Sequence, residues 1–279
     1  MSIFLGFMAA LCWGVHDIIV RFVTQRIEIY TAICTVFFGS IIILLALIWA
    51  TDASLDIKEG ALMLSCLTGV TFAFASVALY NAFALGPVRI VAPIIGAYPI
   101  LSVIWAVLQG AHVSFGQVLA VLTVIAGVGF VATMANNSDQ QQGRSRAILW
   151  SVVACVAFSV CFAVGQLAAP LGNTLTLNLI IRSSALTVLL VIGILINKFQ
   201  RLNISTLPSL GLLASLDTLA FALVTSAGHY PDPQYASVAA STFGMVTIIL
   251  AWIFLKERLT GQQWLAVSVV FGAILYLGL

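Results

Sequence analysis

ALGPVRIVAPIIGAYPILSVIWAVLQG, Ala84–Gly110, is apolar and long enough to span a bilayer, yet it carries Pro93 and Pro99 in its interior. A proline removes one backbone donor, and its ring clashes with the carbonyl four residues back. In lipid, backbone groups freed in this way are tolerated only against protein or water. Tyr98, Ser102, Trp105 and Gln109 follow at i, i+4, i+7 and i+11 and so share one helix face. A kinked span with polar handles and aromatic rings on one face is expected to wall a central cavity. The alternative is a lipid-facing span whose kink is harmless and whose aromatics sit at the interface.

Working outward, the composition fixes the class. Of 279 residues, 62% are hydrophobic and 7% charged, against about 25% charged in soluble domains. The expectation is an all-α polytopic membrane protein with little mass outside the bilayer. Strands of a membrane barrel would alternate polar and apolar residues, and these runs do not. The formal net charge of +2 gives no reason to expect nucleic acid. Cys12, Cys34, Cys66, Cys155 and Cys161 all fall inside apolar runs, where cysteine behaves as a small hydrophobe. No CxxC or Cys/His cluster points to a metal or a disulfide. The first apolar run lacks a basic leader and reads as a span rather than a cleaved signal.

Ten apolar runs of about 19–26 residues can each cross a hydrocarbon core. They are Ile3–Val23, Ile29–Trp49, Ala61–Ala84, the proline-bearing stretch, Phe115–Met134, Ala147–Ala169, Thr174–Ile196, Leu207–Gly228, Gln234–Leu255 and Gly261–Leu279. The polar segment 136–146 separates a first five-helix repeat, 1–135, from a second, 147–279. A shift of 146 residues lays Pro87 on Pro233 and Gln117 on Gln263. It also lays Leu119, Ala120, Val121 and Val124 on Leu265, Ala266, Val267 and Val270. Five spans is an odd number, so the second repeat enters the bilayer inverted. Transporters recurrently use inverted repeats, with the substrate site near the midplane.

Charges inside spans cost roughly 2.5–3.5 kcal/mol each at the bilayer centre on insertion scales and usually face the bundle interior. Asp217 sits mid-span, and Asp17 lies at similar depth when span directions are counted. Both are candidates for proton coupling, a structural hydrogen bond or ion pair being the alternative for each. His16, about 100° from Asp17 on a helix, reads as a packing or hydrogen-bonding residue. Arg182 can grip a substrate anion bidentately or snorkel to the interface. Trp13, Tyr80, Tyr98, Trp105 and Phe158 can form an aromatic lining. Asn81 follows Tyr80, and Phe162 and Gln166 share a face with Phe158. Together with Ser102 and Arg182 these are the candidate substrate-binding residues. They favour a substrate with apolar or aromatic character. One deep Arg and no deep Lys argue against a phosphorylated sugar.

Trp13-Gly14 in the first span, the fourth-span proline and LKERLTGQQWLAVSVVFGAILYLG near the end resemble the drug/metabolite transporter superfamily, EamA type. In the last stretch Glu257, Leu259, Thr260, Gln263 and Gly272 carry the resemblance. The first repeat departs from it, having Ala111 where the Glu would fall. The resemblance implies a multi-pass carrier of a cell (inner) membrane that works as a monomer, without ATP, cofactor or metal. It implies export of amino acids or related metabolites, similar to the aromatic amino-acid exporters. A multidrug or quaternary-cation exporter and a lipid-flipping subunit are the alternatives. An integral-membrane enzyme would need a dense catalytic cluster, which the scattered His16, His112 and His229 do not supply.

Overall fold

The structure, a computed structural model, describes residues 1–101, 104, 114–134, 141–230, 233–256 and 259–277. Among these every regular element is a helix, and one isolated bridge joins Ile57 to Gly172. The helices are α1 (Ser2–Val23), α2 (Ile29–Thr51), α3 (Ala61–Leu85), α4 (Val88–Gly96), α5 (Phe115–Met134) and α6 (Gln141–Ala168). They continue with α7 (Thr174–Leu195), α8 (Leu207–Ser226), α9 (Gln234–Ala240), α10 (Phe243–Leu250) and α11 (Gly261–Leu277). Seven helical stretches among the described residues are long and apolar enough to cross a membrane. A chain of this kind buries its backbone polar groups in helices because lipid offers no alternative partner.

Local chemistry sets many of the ends. The Glu28 carboxylate accepts from Thr31 N at 3.1 Å and caps α2, and Asn173 Oδ1 accepts from Leu175 N at 2.9 Å and caps α7. Asp52 closes α2 in the left-handed region at φ 47°, and Gly60 opens α3 at φ 81°. Thr260 and Gln263 form a capping box at the start of α11. Thr260 N donates to Gln263 Oε1 at 2.9 Å, and Gln263 N to Thr260 Oγ1 at 3.3 Å. The polar segment 136–146 is not wholly a loop, since α6 begins at Gln141. The sequence there has no Pro to stop the helix from running past the apolar region.

Two helices are interrupted. α4 contains Pro93 and ends at Ala97 and Tyr98, and helix resumes from Pro99 to Leu101. The run Gln234–Leu255, expected as one helix, is likewise broken: α9 stops at Ala240, Ser241 and Thr242 form a turn, and α10 follows. No proline marks this second break. The Ser241 and Thr242 hydroxyls instead donate to Val238 O at 2.7 Å and Ala239 O at 2.6 Å. Such local side-chain bonds compete with the helical ladder. The two interrupted helices cross at glycine. A Cβ on Gly96 would lie 3.1 Å from Ser241 O, and one on Gly244 would lie 3.0 Å from Ala92 O.

Helices from the first part of the chain pack chiefly on helices from the second. α1 lies against α8, α9 and α10; α2 against α7 and α8; α3 against α6 and α7; α4 against α6 and α10; α5 against α11. The loops repeat the pattern. Gln200 N donates to Thr31 Oγ1 at 2.8 Å in the first turn of α2. Beyond the other end Lys58 N donates to Leu171 O at 2.7 Å.

Candidate functional site

The α4–α10 crossing borders a cavity near the middle of the bundle. Trp13, His16 and Asp17 reach it from α1, Phe37 from α2, Phe72 and Tyr80 from α3. Ile95 and Tyr98 come from the interrupted fourth helix, Phe158 and Phe162 from α6, Asp217 from α8 and Phe243 from α10. The space between these side chains, its mouth included, is about 500 Å³, but the volume open to the centre of a water molecule is about 30 Å³. That is room for about two waters. A substrate the size of an amino acid enters only if the lining moves apart.

The wall is mostly aromatic. Phe162 lies 5.6 Å from Phe158 with the rings nearly parallel at 14°, 5.3 Å from Trp13 and 5.2 Å from Tyr98. Phe72 stacks on Phe37 at 5.2 Å and touches Phe221 at 4.7 Å. Tyr98 is held by its hydroxyl, which donates to Ser237 O on α9.

Behind this wall lies a buried ion pair. Arg182 Nη1 donates to Asp217 Oδ2 at 2.7 Å, and Arg182 Nη2 to Asp217 O at 3.2 Å. The guanidinium sits 4.3 Å from the ring centre of Phe72, 5.0 Å from Phe221 and 5.2 Å from Phe37. Rings around a desolvated guanidinium contribute through their negative faces. The other oxygen of Asp217 accepts from Trp13 Nε1 at 3.1 Å. Arg182 therefore does not snorkel: it is 0% exposed and does not line the cavity.

Asp17 has a different environment. Its Oδ1 is 3.1 Å from His16 Nδ1, a contact between chain neighbours that the 100° spacing did not suggest. Its Oδ2 is buried and has no hydrogen-bond partner, and neither has the buried hydroxyl of Tyr80. Thr247 is close to Asp17, but its hydroxyl donates to Phe243 O at 2.8 Å.

The structure thus brings Trp13, Tyr80, Tyr98, Phe158, Phe162, Asp17 and Asp217 together. Asn81 stays outside the cavity lining, its amide spent on Val77 O at 2.7 Å in its own helix. Gln166 is a tie between helices. Its amide donates to Ser237 Oγ at 3.0 Å, Pro233 O at 3.1 Å and Val224 O at 3.3 Å. Ser102 and Trp105 lie outside the described residues, as do Gln109, His112 and Glu257. His16, Phe37, Phe72 and Phe243 line the site without having been expected there. Only His16 carried a signal, a second polar residue beside Asp17 in an apolar span.

The model of the EamA-like transporter family matches the chain twice, over residues 1–133 and 145–279. No curated protein sequence matches. One solved structure, described only as "Crystal structure of protein", superimposes with a TM-score of 0.73 over 98% of this chain and 94% of that chain. Its identity is 15%, so the likeness is one of fold.

Proposed function

The chain belongs to the EamA-like transporter family, and from that premise we propose a secondary carrier that moves a small metabolite by alternating access. It is a multi-pass integral membrane protein. Our reading gives it ten spans in two inverted five-helix repeats, 1–135 and 147–279, joined through 136–146, and sets it in a cell (inner) membrane. The observation that carries the reading is the aromatic-walled cavity beside two interrupted helices that cross at Gly96 and Gly244. Interrupted helices around a midplane site are a recurrent way to bind a substrate and reshape its access.

One reading of the cargo is an amino acid, an aromatic one first, travelling outward. Phe158, Phe162 and Tyr98 supply faces for a ring. A second reading, export of lipophilic cations, is favoured by the unpartnered oxygen of Asp17. Asp17 and Asp217 are the proposed proton-coupling carboxylates. The deciding experiment is counterflow in proteoliposomes, with labelled aromatic amino acids and lipophilic cations in competition and a pH gradient imposed or omitted. Accelerated exchange of either class supports a carrier; exchange of neither, from protein that remains folded, sinks the reading. Asp17→Asn is expected to lose accumulation driven by the pH gradient. Full retention in both Asp17→Asn and Asp217→Asn would mean that neither carboxylate couples protons.

A further inference from the structure

The cavity's charges are already assigned, apart from one. Asp217 is balanced by Arg182 and hydrogen-bonded by Trp13. Arg182 is enclosed by three rings and absent from the lining. Asp17, 2% exposed, keeps one oxygen without a donor, and that residue lines the cavity. The Tyr80 hydroxyl in the same lining also lacks a partner. The Tyr80 ring lies edge-on to His16, 6.5 Å away. A buried polar atom without a partner is costly, and most of all a charged one.

We infer that Asp17 Oδ2 and the Tyr80 hydroxyl form an ammonium subsite, and that this decides between the two cargo readings against the amino acid and for an organic amine with an apolar or aromatic body and no carboxylate. The inference rests on the cavity being the substrate site. An ammonium gives one N–H to Asp17 Oδ2 and a second to the oxygen of Tyr80. Its charge also lies near aromatic faces, which attract cations. The body of such an amine packs along Phe158, Phe162 and Tyr98. A carboxylate on the same molecule meets the opposite circumstances. The cation best suited to it, Arg182, is committed to Asp217 and walled off. His16, the remaining basic group in the lining, is already bonded to Asp17. An amino acid therefore buries an uncompensated anion where the corresponding amine does not.

Ligand-induced thermal stabilisation of the purified wild-type protein tests this, because binding to the folded state raises its apparent stability. The probes share one ring and chain: phenethylamine, phenylalanine, 3-phenylpropionate and 2-phenylethanol. Phenethylamine is expected to bind at least about tenfold more tightly than phenylalanine, the equivalent of one decade in Kd. Its advantage over the neutral alcohol is expected to be about 30-fold, as for loss of a buried charge pair. Asp17→Asn should reduce amine binding to the level of the alcohol, and Asp17→Glu should restore part of it. Phenylalanine binding as tightly as the amine overturns the inference. So do equal affinities for amine and alcohol, or no binding of any probe, which would make Asp17 a hydrated structural carboxylate. The ranking on wild-type protein decides even if the variants fail to fold. Counterflow of other solutes with indifference to amines leaves the carrier reading standing and removes the subsite. Absence of all solute exchange removes the carrier reading itself.

Discussion

A guanidinium with no exposed surface must find its counter-charge inside the protein. Arg182 finds it in Asp217, 2.7 Å away across α7 and α8. Removing one partner of a buried pair leaves the other charge stranded, at a cost of about 3–5 kcal/mol, whereas replacing both with apolar groups is often neutral. Asp217→Asn and Arg182→Met are each expected to lower the melting temperature sharply in detergent, and Arg182→Met with Asp217→Leu to recover most of the loss. A double variant no more stable than either single one would show that the pair is not the source. That Asp217 is buried inside the bundle was legible, because a charge at mid-span has few other places to go; for Arg182 the sequence left snorkelling to the interface open. That they meet was not legible, since two residues 35 positions apart on successive helices face each other only in some of many possible rotations. The Phe37 and Phe72 rings around Arg182 gave no sign, being two phenylalanines among 17.

Between helices, glycine decides how near two backbones come. In lipid, where burial of apolar surface gives no drive, association relies on such close packing. A Cβ on Gly69 of α3 would lie 2.4 Å from Ile181 O on α7, and one on Gly14 of α1 would lie 2.4 Å from Val246 on α10. Gly69→Ala meets backbone that cannot yield. It should cost about 1–3 kcal/mol or more, measured as a lower melting temperature or loss of the monodisperse peak. Gly14→Ala meets a side chain that can shift and should cost less. The Trp13-Gly14 pair thereby acquires a physical meaning: the indole bonds Asp217 while the glycine lets α1 approach α10. Tyr98 ties the fourth-helix break to α9. Tyr98→Phe keeps the ring and loses the bond to Ser237 O, worth about 1 kcal/mol. Stability should fall by that order while ring-bearing ligands still bind; a loss of ligand binding without a loss of stability would make the hydroxyl a substrate contact. The prolines announced the break in α4. The break at Ser241 and Thr242 was hidden because hydroxyl back-bonding has no unique signature in sequence. Thr260 and Gln263 could be read as a family mark, and the structure shows them as a cap.

Across the whole molecule, the basic residues are distributed unevenly. Arg26, Arg89, Arg144, Arg146, Lys198, Arg201, Lys256 and Arg258 fall on one side of the spans as counted, and Lys58 on the other. The loop contacts agree that Glu28 and Gln200 share a side, as do Lys58 and Pro170. We propose, from the positive-inside rule and the ten-span count, that the Arg-rich side faces the cytoplasm and both termini the outside. In a variant lacking the five native cysteines, Glu59→Cys should react with an impermeant maleimide in intact cells and Ser205→Cys should not. The reverse pattern would invert the assignment. The packing of α1, α2 and α3 on α6 to α10 has a further implication for movement. A rigid swing of residues 1–135 against 147–279 would break most of the bundle's contacts at once. On the alternating-access proposal, the moving bodies would each combine helices from both parts of the chain.

The loop bond from Lys58 N to Leu171 O, backed by Lys58 Nζ on Pro170 O at 3.1 Å, clasps one end of the bundle, as Gln200 on Thr31 clasps the other. An amide held this way trades its proton for deuterium only when the clasp opens. If these two clasps bound the two doors of the cavity, their amides form a pair of clocks. Under conditions that hold the protein open to one side, one should exchange quickly and the other slowly, and reversing the gradient should swap them. Clocks that always keep the same time would mean that the α2–α7 seam stays shut throughout the cycle and that the doors lie elsewhere.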